Sequence, residues 1–146
     1  MPDAQLSILQ SEWITLQNQF DSYEKFSLAI KIFSILLCCM LIFALDVGFE
    51  SLVVVAILWL QDGIWKTFQA RIGQRLEVVE QAIQDNPHHL PEHPLQMGMQ
   101  FNLAWSQSRP SAIGLVGEYI KQSLKPTVAY PHVVLMGLII VQLYVR

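Results

Sequence analysis

Charge is scarce in this sequence, and cysteine scarcer. Only 14% of the 146 residues are charged and the net charge is -3, with no basic run or face, which excludes binding to nucleic acid through phosphate neutralisation. The two cysteines, Cys38 and Cys39, are neighbours inside an apolar run and cannot bridge each other without strain. A disulfide framework is therefore excluded, and both read as small packing hydrophobes. The glycines form no phosphate-cradling loop, and no nucleophile with an adjacent base stands out, so the expectation is of no enzyme and no cofactor. Four of the seven prolines (Pro87, Pro91, Pro94 and Pro110) fall in one stretch, which leaves the segments on either side open to long helices.

What the chain has in excess is apolar residues, 53% of the total, gathered into three blocks. Clumping of this kind argues for lipid as the solvent more than for a large aqueous core. The first two blocks, Phe26 to Leu45 and Val47 to Trp65, are joined by a short acidic link around Asp46 and Glu50, and together read as a transmembrane helical hairpin. The first holds 20 residues, or about 30 Å at about 1.5 Å per residue, the thickness of a bilayer core. Lys31 alone interrupts it, close enough to the start to snorkel back to the headgroups, with a buried functional lysine as the alternative. Met1 to Glu24 is polar and acidic without a basic n-region, so this block is expected to remain in the mature protein. Thr127 to Tyr144 is the third block, with Tyr130 and Tyr144 as aromatic anchors and Pro131 near its entry. His132, beside it, is expected to face neighbouring helices, with a proton relay as the alternative.

The second block is uniformly apolar from Leu52 to Leu60 and then meets Gln61, Asp62 and Gly63. Lys66 stands four residues after Asp62, the acid N-terminal to the base, which favours a helical ion pair at the membrane edge. The alternative for Asp62 is a proton- or ion-handling carboxylate. Past Lys66 the apolar stripe continues through Ile64, Phe68, Ile72, Leu76, Val79 and Ile83, so the second span is expected to run on as an amphipathic helix to about Asp85. Arg71 and Arg75, one turn apart, suit anionic lipid headgroups. Before the first span, Leu6, Leu9, Trp13, Leu16, Phe20 and Tyr23 recur at steps of three and four, a heptad seam. Its partner is either another helix of the same chain or a further copy of the protein.

Between the second and third blocks the pattern breaks. His89-Leu90-Pro91-Glu92-His93 has the letters of a zinc-protease signature, but that chemistry needs a helix, and Pro91 sits inside the motif. No metal site is expected there. Leu95, Met97, Met99, Phe101, Leu103 and Trp105 alternate like a strand with nothing to pair with, and are expected to lie extended. A short helix capped by Ser111 follows to about Leu124, with Ile113, Val116, Ile120 and Leu124 on one face, and is expected to be interfacial or a lid.

Eight of the nine Lys and Arg residues fall on one side, counting Lys31 at the entry of the first span, and only Arg146 follows the third. The positive-inside rule places that side in the cytoplasm. The expected fold class is thus an all-α membrane protein with three transmembrane helices, its N-terminus cytoplasmic and its helices extended into the cytoplasm. Residues 1–25 form an amphipathic cytoplasmic helix, 26–65 the hairpin, 66–126 a cytoplasmic helix, loop and interfacial helix, and 127–146 the last span.

The run Ala56-Ile57-Leu58-Trp59-Leu60-Gln61-Asp62-Gly63-Ile64-Trp65-Lys66, leading into Arg71 and Arg75, resembles a set of small bacterial membrane proteins. In these an apolar span ends in a Trp/Phe-x-x-Asp-aromatic pattern and continues as a basic amphipathic helix, and a last span is entered through Pro and aromatics, as at Pro126 to Pro131 here. Gly63 and Lys66 depart from that pattern. The resemblance implies a multi-pass topology in a bacterial inner membrane. The expected function is a non-enzymatic membrane subunit, whose partners are the bilayer and a second copy or another protein subunit, in a larger or defence-type assembly. The alternative is an oligomeric ion channel or pore with Asp62, His132 and Gln142 along its path.

Overall fold

The computed structural model describes residues 2–44, 48–84 and 98–145. Most of the short link, with Asp46, and the segment holding His88 to His93, Leu95 and Met97 lie outside the described residues. Five helices make up the rest: α1 (Pro2–Ala44), α2 (Phe49–Gln84), α3 (Phe101–Ser108), α4 (Ala112–Ser123) and α5 (Pro126–Val145), with no strand among the described residues. The fold is all-helical, and α1, α2 and α5 are each long and apolar enough to cross a membrane. At 43 and 36 residues, α1 and α2 extend about 65 and 54 Å at ~1.5 Å per residue, well beyond a bilayer core. Pro131 breaks α5 locally: Tyr130 before it takes extended backbone angles, the conformation favoured by a residue preceding proline.

The chain divides into two compact units. One comprises Met1–Ser22 and Gln69–Ser111. Here the two helix portions run antiparallel, with residue 12 beside 75 and residue 20 beside 69. Leu9, Leu16, Ile72, Leu76 and Val79 form its core. A side chain at Gly73 would press on the Phe20 ring, so the absence of a Cβ there lets the two helices approach.

α3 in this unit corrects, from Phe101 to Trp105, the extended segment expected over Leu95 to Trp105. Phe101, Ala104 and Trp105 are half-buried while Asn102, Leu103, Ser106 and Gln107 are exposed, the three-and-four spacing of a helix. The apparent alternation came from Leu103, whose side chain points away from the packed face.

The other unit comprises Tyr23–Phe68 and Ala112–Arg146. Its polarity is the reverse of a water-soluble domain. Phe26, Leu28, Ile32, Phe33 and Leu36 on α1, Val53 and Ile57 on α2, and Val133, Val134 and Leu138 on α5 are exposed, while Ser27, Ser34, Ser51, Asp62, Thr67 and His132 are buried. An apolar cluster of Cys38, Val55, Leu135 and Ile139 forms the rest of the interior. Cys38 is thus a packed hydrophobe, whereas Cys39 faces outward, and both thiols are free. Buried hydroxyls cost little in such a helix where they donate to a carbonyl one turn back, as Ser34 does to Ile30 and Thr67 to Gly63.

Candidate functional site

Asp62 is the centre of the polar interior in the apolar unit. Its side chain is 0% exposed, and groups from two other helices reach it. From α1, the Ser27 hydroxyl donates to Asp62 Oδ1 at 2.5 Å. Lys31, one turn after Ser27 and so on the same face of α1, brings Nζ to 3.6 Å from Asp62 Oδ2 and donates to the carbonyl of Thr127 at 2.8 Å. From α5, His132 Nε2 also lies 3.6 Å from Asp62 Oδ2. One carboxylate therefore ties α1, α2 and α5 together.

Lys31 does not snorkel outward as the sequence suggested; its side chain is 19% exposed and its ammonium is turned inward. The reason is energetic. An isolated carboxylate is very costly to bury, and a cation within ion-pair distance offsets that cost. Asp62 Oδ2 and both imidazole nitrogens of His132 have no hydrogen-bond partner among the described residues. At 3.6 Å the His132–Asp62 pair is about half an ångström beyond hydrogen-bonding range. A small approach, with a proton on the imidazole, closes that gap and makes a charge-assisted bond.

A collar of packing holds Asp62 in place. Gly63 follows it in sequence, and a Cβ there would collide with the hydroxyl of Ser123 at the end of α4. Trp59 Nε1, one turn before Gly63, donates to the Ser123 carbonyl at 2.9 Å, so the end of α4 is clasped to α2 at two successive turns. The Trp65 ring packs in tilted contact with Tyr23 and Phe26, at centroid distances of 5.0 and 5.3 Å. Lys66 is half-buried. Gln142, half-buried, stands ten residues beyond His132, about 15 Å along the helix at ~1.5 Å per residue. Asp62 and His132 are both fully buried within the chain.

The other unit carries a second buried polar group. Arg75 Nε donates to Glu12 Oε1 at 2.9 Å and Nη2 to Oε2 at 3.2 Å, a two-pronged pair with each side chain 5% exposed. Glu12 Oε2 also accepts from the backbone N–H of Met99. Met99 holds a left-handed backbone conformation, φ 61°, that non-glycine residues adopt at a cost, and the carboxylate secures it. Arg71 lies 3.9 Å above the Trp105 ring of α3. The burial of Arg75 commits its guanidinium to Glu12 and withdraws it from the surface where headgroups would be met.

Along the heptad seam, Leu9 and Leu16 are buried while Leu6, Trp13 and Phe20 are half-buried. Trp13 Nε1 donates to Glu80 at 2.9 Å, and the Phe20 carbonyl accepts from Gln69, so the seam faces α2 of the same chain. The fully buried row is Leu9, Glu12 and Leu16, in which a glutamate takes the place the seam assigned to Trp13.

Glu12 and Ser27 are buried polar side chains that the sequence reading did not single out, and Lys31 takes the inward rather than the snorkelling position. A signal for them exists: Glu12 lies three and four residues from Leu9 and Leu16, and Ser27 stands one turn before the lone cation of an apolar run that must find an anion. No family model, no curated protein and no solved structure matches this chain.

Proposed function

We propose that this protein is a non-enzymatic subunit of a bacterial inner membrane, crossing it three times with the N-terminus in the cytoplasm, and that it associates with a second copy or a partner subunit through its cytoplasmic helices. The reversed polarity of the apolar unit supports the membrane setting, and the asymmetry of Lys and Arg supports the orientation. The observation that carries the docking role is apolar ground left open on the other unit. Ile8, Met99 and Leu103 are 43–65% exposed, and Ile8 lies against Gly98, beside Met99. The Glu12–Arg75 pair and its hold on Met99 keep this ground rigid, which lowers the entropy cost of docking.

A photo-crosslinking amino acid at Leu103 tests the role in intact membranes. The expected result is one adduct of defined mass, either a dimer of this chain or a one-to-one product. A chain that yields no adduct and runs as a single copy by native mass spectrometry contradicts it.

The second reading is proton or ion transfer, favoured specifically by the enclosed Asp62–Lys31–His132 group, since ionisable side chains inside membrane spans mark such paths. On this reading the path lies among α1, α2 and α5 of one chain. Liposomes containing the protein then pass protons down a pH gradient, and Asp62→Asn abolishes the flux. A flux that persists in Asp62→Asn, or none in the native chain, removes this reading.

A further inference from the structure

α4 buries one face and leaves the opposite one open. Gly114, Leu115, Glu118, Tyr119 and Gln122 are half-buried and Ser123 is buried, while Ile113, Val116, Ile120 and Leu124 are 51–86% exposed. The four exposed residues recur at steps of three and four, so they form one apolar row along the helix. The inner face is fixed by the Trp59–Ser123 bond and the close fit of Ser123 on Gly63.

Resting on the membrane reading above, we propose that this outer face is a lipid-docking surface, on which α4 lies in the plane of the leaflet among anionic headgroups. Continuity fixes the occupant. A single turn separates α4 from α5, with Lys125 N–H donating to Gln122 and Val128 N–H to Lys125. α4 therefore ends at the level where a membrane-crossing helix begins. Past the turn, Tyr130 and then Val133 and Val134 on α5 are exposed apolar side chains as well. Tyrosine at that depth suits the headgroup boundary. Charge agrees as well. Lys121 and Lys125 are exposed at the same end of α4, where cations meet phosphate groups while the apolar row sinks into the acyl boundary.

The test places a single environment-sensitive fluorophore on a background in which Cys38 and Cys39 are replaced by alanine. Labels go on Val116→Cys, on Phe33→Cys as a mid-span reference and on Asn102→Cys as an aqueous reference. The full chain is assembled in nanodiscs of phosphatidylcholine and phosphatidylglycerol with brominated acyl chains. The expected result is loss of most emission at residue 116 to the brominated lipid, as at residue 33, with iodide quenching residue 102 alone. In Lys121→Gln/Lys125→Gln the loss at residue 116 shrinks severalfold and ceases to depend on phosphatidylglycerol. Iodide quenching at residue 116 with lipid quenching retained at residue 33 overturns the role of α4 and leaves the membrane reading standing. Iodide quenching at residue 33 overturns the membrane reading itself. Protection of residue 116 from both quenchers means that a second copy covers the face, which also overturns a lipid occupant.

Discussion

His132 Nε2 on α5 lies 3.6 Å from Asp62 Oδ2 on α2, with neither side chain exposed to any degree. Residues 70 positions apart in the chain thus meet in the interior of an apolar unit, where polar groups persist only with partners. On the third side stands Lys31, and the three together with Ser27 make a joint between α1, α2 and α5.

Removing the central acid should loosen that joint. Asp62→Ala deletes the Ser27 hydrogen bond and leaves Lys31 without its ion partner, and polar contacts between membrane helices contribute about 1–2 kcal/mol each at most. Chemical unfolding in mild detergent should show a loss of about 2 kcal/mol or more for this variant. Replacing both charges, as in Lys31→Met/Asp62→Leu, should recover most of it, because an apolar pair of similar volume has no desolvation cost. A double variant weaker than the single one contradicts the joint.

The Glu12–Arg75 pair makes a parallel case in the other unit. Arg75→Ala strands a buried carboxylate at a cost of about 3–5 kcal/mol. Glu12→Ala should be distinguishable from it by hydrogen exchange, since it alone releases the Met99 amide as well as the guanidinium. Equal protection of the Met99 amide in native protein and Glu12→Ala would show that the carboxylate does not hold it.

Gly63 should tolerate no large side chain. Gly63→Val places a branched side chain on Ser123, whose Cβ and Cα stand 3.0 and 3.2 Å from the site of any new Cβ. α4 is then expected to lift from α2, and Trp59 to lose its carbonyl acceptor, seen as a shift in its fluorescence. An unshifted Trp59 spectrum in Gly63→Val contradicts the clasp.

Trp105→Ala removes the ring beneath Arg71, a contact worth about 0.5–2 kcal/mol, together with the main apolar anchor of α3. Circular dichroism should register loss of about two turns of helix. Trp105→Phe should retain the helix and weaken only the cation contact.

Much of this architecture was legible in the residues. Continuous apolar runs and three-and-four spacing predict the long helices, because lipid-facing and packed surfaces impose those patterns directly. α3 was not legible, since Leu103 counts as apolar in sequence although it points outward, and a period of two emerged by accident. The partners of Asp62 were hidden for a different reason. The acid has a favourable neighbour within its own helix at Lys66, and local spacing carries no information about a lysine 31 positions earlier or a histidine 70 positions later. Only the pairing of α1 and α5 with α2 brings them together. Glu12 was hidden by its neighbour Trp13, which suits a seam by hydropathy, while the glutamate is buried because Arg75 awaits it.

The most direct test of the account is the topology of the chain in a bacterial inner membrane, read with paired reporters active on only one side and fused after residues 48, 107 and 146. Three crossings with a cytoplasmic N-terminus predict cytoplasmic activity at 107 alone and exterior activity at 48 and 146. Cytoplasmic activity at all three positions, with the protein released by alkaline washing, contradicts it.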